Sequence, residues 1–229
     1  MRVTGPVVMA LQQNFAIDWK FMGYELITEE APEVEMEVQP LRKGEISDVM
    51  AQIVSSGPTN RWGNAQMMFL KAITGAERRI YIQTPYFLPS EALLNALECA
   101  ALSGVDVRVM MPRRSDSTVL TNASGSFVEE SLLAGIKIYF YEPGMLHSKV
   151  LLVDDDFVTL GSTNFDYRSF EHNFEENILM YSRQVNERIA SLFKADLENS
   201  TQVKIGEWNQ RPRAVKVRES LCRLLSPIL

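Results

Sequence analysis

Residues 147–164 have the sequence HSKVLLVDDDFVTLGSTN, and this stretch decides the fold that we expect. Residues 149–153 and 157–160 are rich in aliphatic and β-branched side chains, which favour strands. The aspartates between them have the chemistry of a tight turn. The stretch therefore predicts a β-hairpin.

Four polar side chains are expected to meet on one surface of this hairpin. Side chains two residues apart on a strand share a face, so His147 and Lys149 should point the same way. Ser162 and Asn164 can do likewise if the chain stays extended there, and Gly161 lets the backbone approach closely beside them. Such a set suits a phosphate, because an ammonium neutralises its charge, a hydroxyl and an amide donate hydrogen bonds, and an imidazole attacks phosphorus or moves protons.

The spacing resembles the HxKx4Dx6GSxN signature of the phospholipase D superfamily, with every fixed position filled. A structural hairpin with a surface histidine is the alternative, and so many fixed residue types at fixed spacings argue against it. The resemblance implies that His147 is the catalytic histidine and that Lys149 and Asn164 bind the phosphoryl oxygens. It also implies that Ser162 assists from the glycine-serine turn.

The same resemblance implies structural roles for Asp154, at the hairpin end, and for Gly161. The sequence that follows resembles the family's continuation, in which an acidic residue holds the catalytic imidazole. Glu175 is the candidate, because it opens a new apolar run that could return beside the histidine, and Glu171 and Glu176 are alternatives. A carboxylate on one ring nitrogen fixes the tautomer and stabilises the imidazolium.

Composition limits the class of protein. The chain has 229 residues and 46% hydrophobic content, which suits one large domain or two small ones with a filled core. The net charge of −6 makes it a poor non-specific binder of nucleic acid, because phosphate contacts need clustered cations. We therefore expect no nucleic-acid partner.

The sequence gives no sign of a metal, a cofactor or a membrane-spanning segment. Cys99 and Cys222 lie far apart in no metal or redox motif, which favours a reducing compartment. No signal-peptide pattern is expected within residues 1–229, and no apolar run there approaches the ~18 residues needed to span a bilayer. Any membrane contact by residues 1–229 is therefore expected to be peripheral.

Strand and helix patterns alternate along most of the chain. The predicted strands are 49–55, 79–84, 105–111, 136–141 and 177–181, and the predicted helices are 7–19, 65–74, 90–103, 117–133 with a break near 124–125, and 186–197. This order predicts an α/β fold with a mixed, mostly parallel sheet flanked by helices on both faces. Ligands gather beyond the carboxyl ends of strands in such sheets.

Two loops at those strand ends are candidates for substrate contact. Residues 83–87, QTPYF, resemble the TPYF segment of cardiolipin synthases, and Tyr86 could line a lipid-headgroup site or simply pack a turn. Residues 113–116, RRSD, form a cationic loop that could face anionic lipid, although a solvated turn is the commoner outcome.

The organisation predicted is a catalytic domain over residues 1–202, with an acidic linker or loop near 25–44, and a basic amphipathic tail over 203–229. The tail has six cations against two carboxylates, a local charge of +4 beside an apolar stripe. Both a helix packed on the body and a helix lying in a membrane interface fit this pattern.

The resemblance covers nearly the whole chain and points to the C-terminal half of a bacterial cardiolipin synthase of the phospholipase D type. It implies phosphatidyl transfer between two phosphatidylglycerol molecules through a phosphohistidine, giving cardiolipin and glycerol without a cofactor. It also implies a location at the cytoplasmic face of the bacterial membrane. The N-terminal histidine of such enzymes is usually the nucleophile, which would make His147 the general acid and later the general base.

One departure from the family is serious. The family's site uses two HxK motifs about a pseudo-twofold axis, and this chain has one, since His172 has no lysine two residues later. The chain is thus expected to hold half a site, to need an N-terminal half or a homodimer mate, and to be inactive as a monomer.

Other functions remain open on sequence alone. They are another phospholipase D-like lipid hydrolase or headgroup transferase, a single-motif nuclease acting as a dimer, and a non-catalytic membrane-binding module. Product analysis, plasmid nicking and vesicle binding would separate them.

Overall fold

The computed structural model describes residues 1–26 and 44–228, so nearly all of the acidic segment predicted near 25–44 lies outside the described residues. The helices are α1 (Val7–Phe21), α2 (Asn64–Thr74), α3 (Glu91–Leu102), α4 (Thr118–Leu133), α5 (Tyr167–Glu171), α6 (Arg183–Glu198), α7 (Ile205–Asn209) and α8 (Arg213–Arg223), followed by a 3₁₀ helix, Ser226–Ile228. The strands are β1 (Met50–Ser56), β2 (Arg79–Gln83), β3 (Phe87–Leu88), β4 (Asp106–Pro112), β5 (Lys137–Tyr141), β6 (Val150–Val153), β7 (Phe157–Gly161), β8 (Phe165–Asp166), β9 (Glu175–Tyr181) and β10 (Ser200–Gln202).

An eight-stranded mixed sheet forms the centre, in the order β1-β9-β7-β6-β2-β4-β5-β10. The predicted mixed α/β fold is confirmed, but the prediction of mostly parallel pairing is wrong. Within this sheet only β2, β4 and β5 pair in parallel, and every other neighbouring pair is antiparallel. The short strands β3 and β8 form a separate, parallel two-stranded sheet. Helices α3 and α4 supply the crossovers that parallel pairs need, whereas the short turn between β6 and β7 forces them to be antiparallel.

The two faces of the sheet bury separate apolar clusters, as alternating strand residues require. Ile80 and Ile82 of β2 pack on the side covered by α2, α3 and α4. Tyr81, between them, faces the side covered by α6, where its ring stacks on Phe193 with 4.8 Å between centroids. Helices thus lie on both faces of the sheet.

Short polar side chains mark where the helices begin. Ser117 caps α4 and Ser182 caps α6, each accepting a hydrogen bond from a backbone N–H three residues on. Ser90 occupies the predicted cap position of α3, but its hydroxyl accepts from Gln66 instead. The break predicted near 124–125 is wrong, because α4 is continuous there and Gly125 leaves room for the side chain of Glu219.

None of the helices in the described part of the chain is both long and apolar enough to cross a membrane. The predicted tail is folded onto the domain, because α8 packs against α4. Just before the tail, β10 extends the sheet beside β5. The domain boundary at residue 203 stays a prediction.

Candidate active site

The stretch 147–164 forms the hairpin of β6 and β7. Val150 lies opposite Leu160 and Val153 lies opposite Phe157, with the aspartates in the turn. At the open end, the N–H of Gly161 donates to the carbonyl of Lys149 at 3.4 Å. The register therefore brings residues 147–149 beside residues 161–164, which is where the sequence places the polar groups.

His147 and Lys149 are in direct contact at this end. The Lys149 ammonium nitrogen lies 3.2 Å from Nδ1 and 3.3 Å from Nε2 of His147, and it donates to the His147 carbonyl at 2.9 Å. His147 is exposed, whereas Lys149 is half-buried. Burial lowers the pKa of the Lys149 ammonium, and the carboxylates of Glu175, Asp166 and Asp116 oppose that shift.

Ser162 joins the end of β7 to β9. Its N–H donates to the carbonyl of Glu176 at 2.9 Å, and its hydroxyl accepts from the Glu176 N–H at 2.9 Å. The Asn164 side chain opposes the rise that burial causes in the pKa of Asp166, and its amide oxygen is buried without a hydrogen-bond partner in the described residues. The serine is therefore anchored to the sheet, while the asparagine amide keeps one acceptor unused.

Gly161 lies at a point where the chain tolerates no side chain. A Cβ atom there would overlap the Asn177 side chain and the carbonyl oxygen of Glu176. Asn177 in turn donates to the Thr163 hydroxyl at 2.5 Å, so the turn after β7 is packed tightly against β9. The missing Cβ is what allows the polar turn to sit directly on the sheet end.

Asp154 lies at the opposite end of the hairpin from His147 and holds it to β2. Its carboxylate accepts from the N–H groups of Glu77, Arg78 and Arg79, at 2.7 Å for the shortest of them. Its carbonyl accepts from Arg79 Nε at 2.6 Å, and its φ of 49° is in the left-handed region that aspartate tolerates in turns. These contacts are structural and do not reach the polar end.

The three candidate carboxylates have different surroundings. Glu175 is buried and accepts from Asn173 Nδ2 at 3.0 Å. Glu176 accepts from Asn14 of α1 at 2.7 Å, and Glu171 is exposed. Glu175 makes no hydrogen bond to the His147 imidazole within the described ranges; its charge acts on Lys149 instead.

Tyr86 follows β2 and lies near the same end of the sheet. Its hydroxyl donates to Asp116 at 2.7 Å. Burial first, and then this bond to Asp116, raises the pKa of Tyr86 to about 12, so the phenol is a hydrogen-bond donor at neutral pH. The Thr84 hydroxyl fixes the loop by donating to the Tyr86 carbonyl at 2.8 Å and accepting from the Phe165 N–H at 3.0 Å.

Two acidic residues near Lys149, Asp116 and Asp166, are not predicted from the sequence as part of the site. The sequence indicates only a cationic loop around Asp116 and no role for Asp166, yet the charges of both act on Lys149. Asp166 is buried, which raises its pKa, and it caps α5 by accepting from the Ser169 N–H at 2.7 Å. Its position two residues after Asn164, at the start of a helix, is a signal that could have identified it. The loop's Arg113 is paired with Glu142 at 2.6 Å and is not a free cation.

The site's chemistry therefore rests on an exposed imidazole beside an ammonium, with buried carboxylates behind them. Among residues 1–26 and 44–228 there is no cluster of His, Cys, Asp and Glu suited to a metal ion. A phosphoryl group approaching His147 would meet the Lys149 ammonium at the same edge, which is the arrangement that charge stabilisation of phosphorus chemistry requires.

Two solved structures share this fold. The crystal structure of Nuc, a phospholipase D family member from Salmonella typhimurium, has a TM-score of 0.59 at 21% identity, covering 69% of this chain and 99% of that one. The phosphatidylserine synthase of Haemophilus influenzae Rd KW20 has a TM-score of 0.65 at 16% identity, covering 79% of this chain and 48% of that one. At these identities the likeness shows the fold alone.

Sequence relatives are more specific. Cardiolipin synthase 1 of Staphylococcus aureus (strain COL) is 37% identical over 231 residues, covering 100% of this chain and 46% of that protein. The major cardiolipin synthase ClsA of Bacillus subtilis (strain 168) is 38% identical over 229 residues, with the same two coverages. The chain thus spans about half the length of these relatives. The family described as cardiolipin synthase, phospholipase D-like domain, matches residues 69–197. The chain belongs to this phospholipase D-like domain family of cardiolipin synthases.

Proposed function

We propose that this chain supplies one histidine–lysine half-site for phosphatidyl transfer between two phosphatidylglycerol molecules, giving cardiolipin and glycerol. One observation carries the proposal: the exposed His147 ring lies 3.2 Å from the Lys149 ammonium at the sheet end. Identities of 37–38% to curated cardiolipin synthases favour this acceptor over water.

The reaction needs two proton-active groups at one phosphorus. One imidazole nitrogen forms an N–P bond while the P–O bond to the leaving glycerol breaks, and a second histidine gives that oxygen a proton. The hydroxyl of the second phosphatidylglycerol then attacks phosphorus, the N–P bond breaks, and the second histidine takes the hydroxyl proton. Only His147 belongs to an HxK pair in this sequence. The other histidine therefore comes from a second phospholipase D-like half or from a second copy.

The other candidate site residues bind the phosphoryl group, hold the site in place or contact the headgroup. Lys149 offsets the negative charge that grows on the phosphoryl oxygens, and Asn164 orients one of those oxygens. Ser162 fixes the turn that holds Asn164. Glu175 keeps Lys149 protonated, because its charge opposes the effect of burial on that ammonium. Tyr86 lies beside the site as a neutral donor that could contact the headgroup.

The substrate implies a membrane setting. Phosphatidylglycerol is a bilayer lipid, so the half-site must work at a membrane surface, and we place it at the cytoplasmic face of the bacterial membrane. The second half, the anionic bilayer and the phospholipid are then the partners of this chain.

A chimera tests the proposal directly. Residues 1–229 replace the matching segment of cardiolipin synthase 1 of Staphylococcus aureus, which aligns over 231 residues. Lipid products from phosphatidylglycerol in detergent micelles are then measured for the chimera, for its His147→Ala variant and for a His172→Ala control. We expect cardiolipin from the chimera and the control, and a loss of at least ~10²-fold in the His147→Ala variant, the lower range of acid–base assistance.

Two outcomes would contradict the proposal. One is cardiolipin formation within threefold of the parent in a His147→Ala chimera with unchanged melting temperature. The other is a folded chimera that releases phosphatidic acid from phosphatidylglycerol without making cardiolipin, which would identify a hydrolase.

A further inference from the structure

Helix α8 has its charged side toward the protein and much of its apolar side toward solvent. Glu219 is 6% exposed, whereas Val217, Leu221 and Leu224 are 59%, 60% and 77% exposed. A helix packed on a domain normally buries its apolar face and exposes its charges. The reversed orientation of α8 means that its docking and its exposed apolar side chains need separate explanations.

An ion pair explains the docking. Arg211 binds both carboxylate oxygens of Glu219, at 2.5 and 2.9 Å, and its guanidinium lies 3.2 Å from the centre of the Trp208 ring. On the α4 side, a Cβ at Gly125 would approach Glu219 Oε1 to 2.8 Å, so the two helices touch at a glycine. A buried charge pair in close contact fixes the orientation of α8 on the body.

Most of the tail's other cations are also used inside the molecule. Lys216, Arg218 and Arg223 all contact side chains of α4, namely Glu129 at 3.7 Å, Asn122 at 2.9 Å and Glu130 at 2.6 Å. The predicted basic tail is therefore largely paired with the body. Among the described residues, Lys204 and Arg213 are the tail cations that are exposed and make no ion pair or hydrogen bond.

The outward side of α8 combines an apolar stripe with one of these free cations. We define the apolar stripe as Val217, Leu221, Leu224 and Ile228, which follow one another at helical spacing and continue into the 3₁₀ helix. Arg213 lies one turn before Val217 on the same side of the helix. The only carboxylate of α8 is the inward-facing Glu219. On a chain of net charge −6, this face is cationic and free of α8 carboxylates.

The inward side of α8, opposite the apolar stripe, lies close to the loops of the candidate active site. A cavity of about 220 Å³ separates α8 from the strand-end loops, and its lining includes Pro85, Arg113 and Arg218. The 3₁₀ helix packs against α5, whose first turn is capped by Asp166. The C-terminal end of the stripe, Ile228, therefore belongs to an element that packs directly against the helix following the motif.

We propose that the apolar stripe, with Arg213, docks into the headgroup–acyl boundary of an anionic bilayer. This inference rests on the proposed function, because the substrate of that function resides in such a bilayer. Branched aliphatic side chains beside cations fit a helix lying in the interface plane. The core of a protein interface is typically enriched in aromatic residues, and the stripe has none. The ion pairs with α4 keep the helix on the domain while its outer face enters the lipid.

Flotation of the whole chain with vesicles tests this docking without reference to turnover. The vesicles contain phosphatidylglycerol and phosphatidylcholine in equal parts, or phosphatidylcholine alone. Val217→Gln, Leu221→Gln and Leu224→Gln are combined in one variant. A matched control changes Met9, Ile17 and Met22 of the N-terminal region to Gln, because these side chains are similarly exposed at 55%, 65% and 70%.

We expect the stripe variant to lose about tenfold or more in binding to the mixed vesicles, with its melting temperature unchanged, and the control to bind like the parent. Equal binding by the stripe variant and the parent would overturn the inference, as would a loss confined to the control. A parent that sediments as a dimer, floats with no vesicle and becomes monomeric in the stripe variant would identify a protein interface instead. If the triple variant fails to fold, Leu224→Gln alone is expected to weaken binding about threefold, and no change would overturn the inference.

The cations give a second, independent readout. Arg213→Gln is expected to weaken binding to the anionic vesicles about fivefold and to leave binding to phosphatidylcholine unchanged. Arg223→Gln, which breaks the pair with Glu130, should lower the melting temperature and leave binding per folded molecule unchanged. The reverse pattern would contradict the assignment of free and internal cations. The two proposals can fail separately. If the chain floats in a stripe-dependent way but the chimera makes no cardiolipin, only the proposed function is wrong. If the chimera makes cardiolipin but the stripe variant floats like the parent, only this inference is wrong.

Discussion

The Lys149 ammonium lies within hydrogen-bond distance of the His147 ring and feels the charges of three carboxylates. Burial favours its neutral form, and the carboxylates favour its charged form. The sequence predicted the lysine, the histidine and their shared face from a spacing of two residues. It could not predict the effect of the Asp116 charge on Lys149, because Asp116 lies in a loop more than thirty residues earlier in the chain.

Turnover should depend on the protonation of Lys149. Its pKa lies below the ordinary value of 10.5, so the ammonium is lost, and activity with it, at a lower pH than for an exposed lysine. We expect kcat/KM of the chimera to fall on the alkaline side below pH 10.5. In a Lys149→Arg variant the charge persists, and the residual activity should show no such alkaline fall. An alkaline fall identical in both proteins would refute the assignment.

Glu175→Gln tests the role that the structure favours for this carboxylate. Removing its charge destabilises the ammonium, so the pKa of Lys149 should fall further and the alkaline limb should move to lower pH. Glu171→Gln is the matched control, because Glu171 is exposed and does not act on Lys149. A shift of the acid limb alone would show that Glu175 acts on the His147 imidazole. A larger effect from Glu171→Gln would mean that the carboxylate was chosen wrongly.

The sequence predicts where the strands lie along the chain better than it predicts how they pair. Predicted strands 79–84 and 105–111 match β2 (Arg79–Gln83) and β4 (Asp106–Pro112) closely. Apolar runs and flanking glycines or prolines mark where a strand lies, and they contain no information on which distant strand it pairs with. The pairing of β1 with β9 joins segments more than a hundred residues apart. The two-residue strands β3 and β8 were missed, because so short a run has no periodicity.

The hairpin element should depend on Asp154 for stability and not for chemistry. Asp154→Ala leaves three backbone N–H groups without their carboxylate partner. We expect the free energy of unfolding to fall by about 2–3 kcal/mol, and the melting temperature to fall by roughly 5–10 °C for a chain of this size. Asp156→Ala is the control, because its side chain is exposed and makes no hydrogen bond in the described structure. Equal melting temperatures for the two variants would contradict this role.

At the scale of the whole molecule, this chain contains the apolar core that folding requires but only one of the two histidines that the proposed reaction requires. Two apolar clusters on opposite faces of one sheet give a core within residues 1–26 and 44–228. The site has one HxK pair, and the proposed reaction needs two histidines within hydrogen-bond reach of one phosphorus. The reversed orientation of α8 was not predictable, because the pattern of a basic amphipathic helix does not say which side faces the body.

Cardiolipin formation by the isolated chain, measured alongside its sedimentation, tests the half-site claim most directly. Phosphatidylglycerol in detergent micelles is supplied over a range of protein concentrations, and His147→Ala is the control. We predict a folded monomer with turnover no greater than that of the control, and activity appearing only where a second copy or a second phospholipase D-like half is bound. Robust, His147-dependent cardiolipin formation by a strictly monomeric chain would contradict the claim.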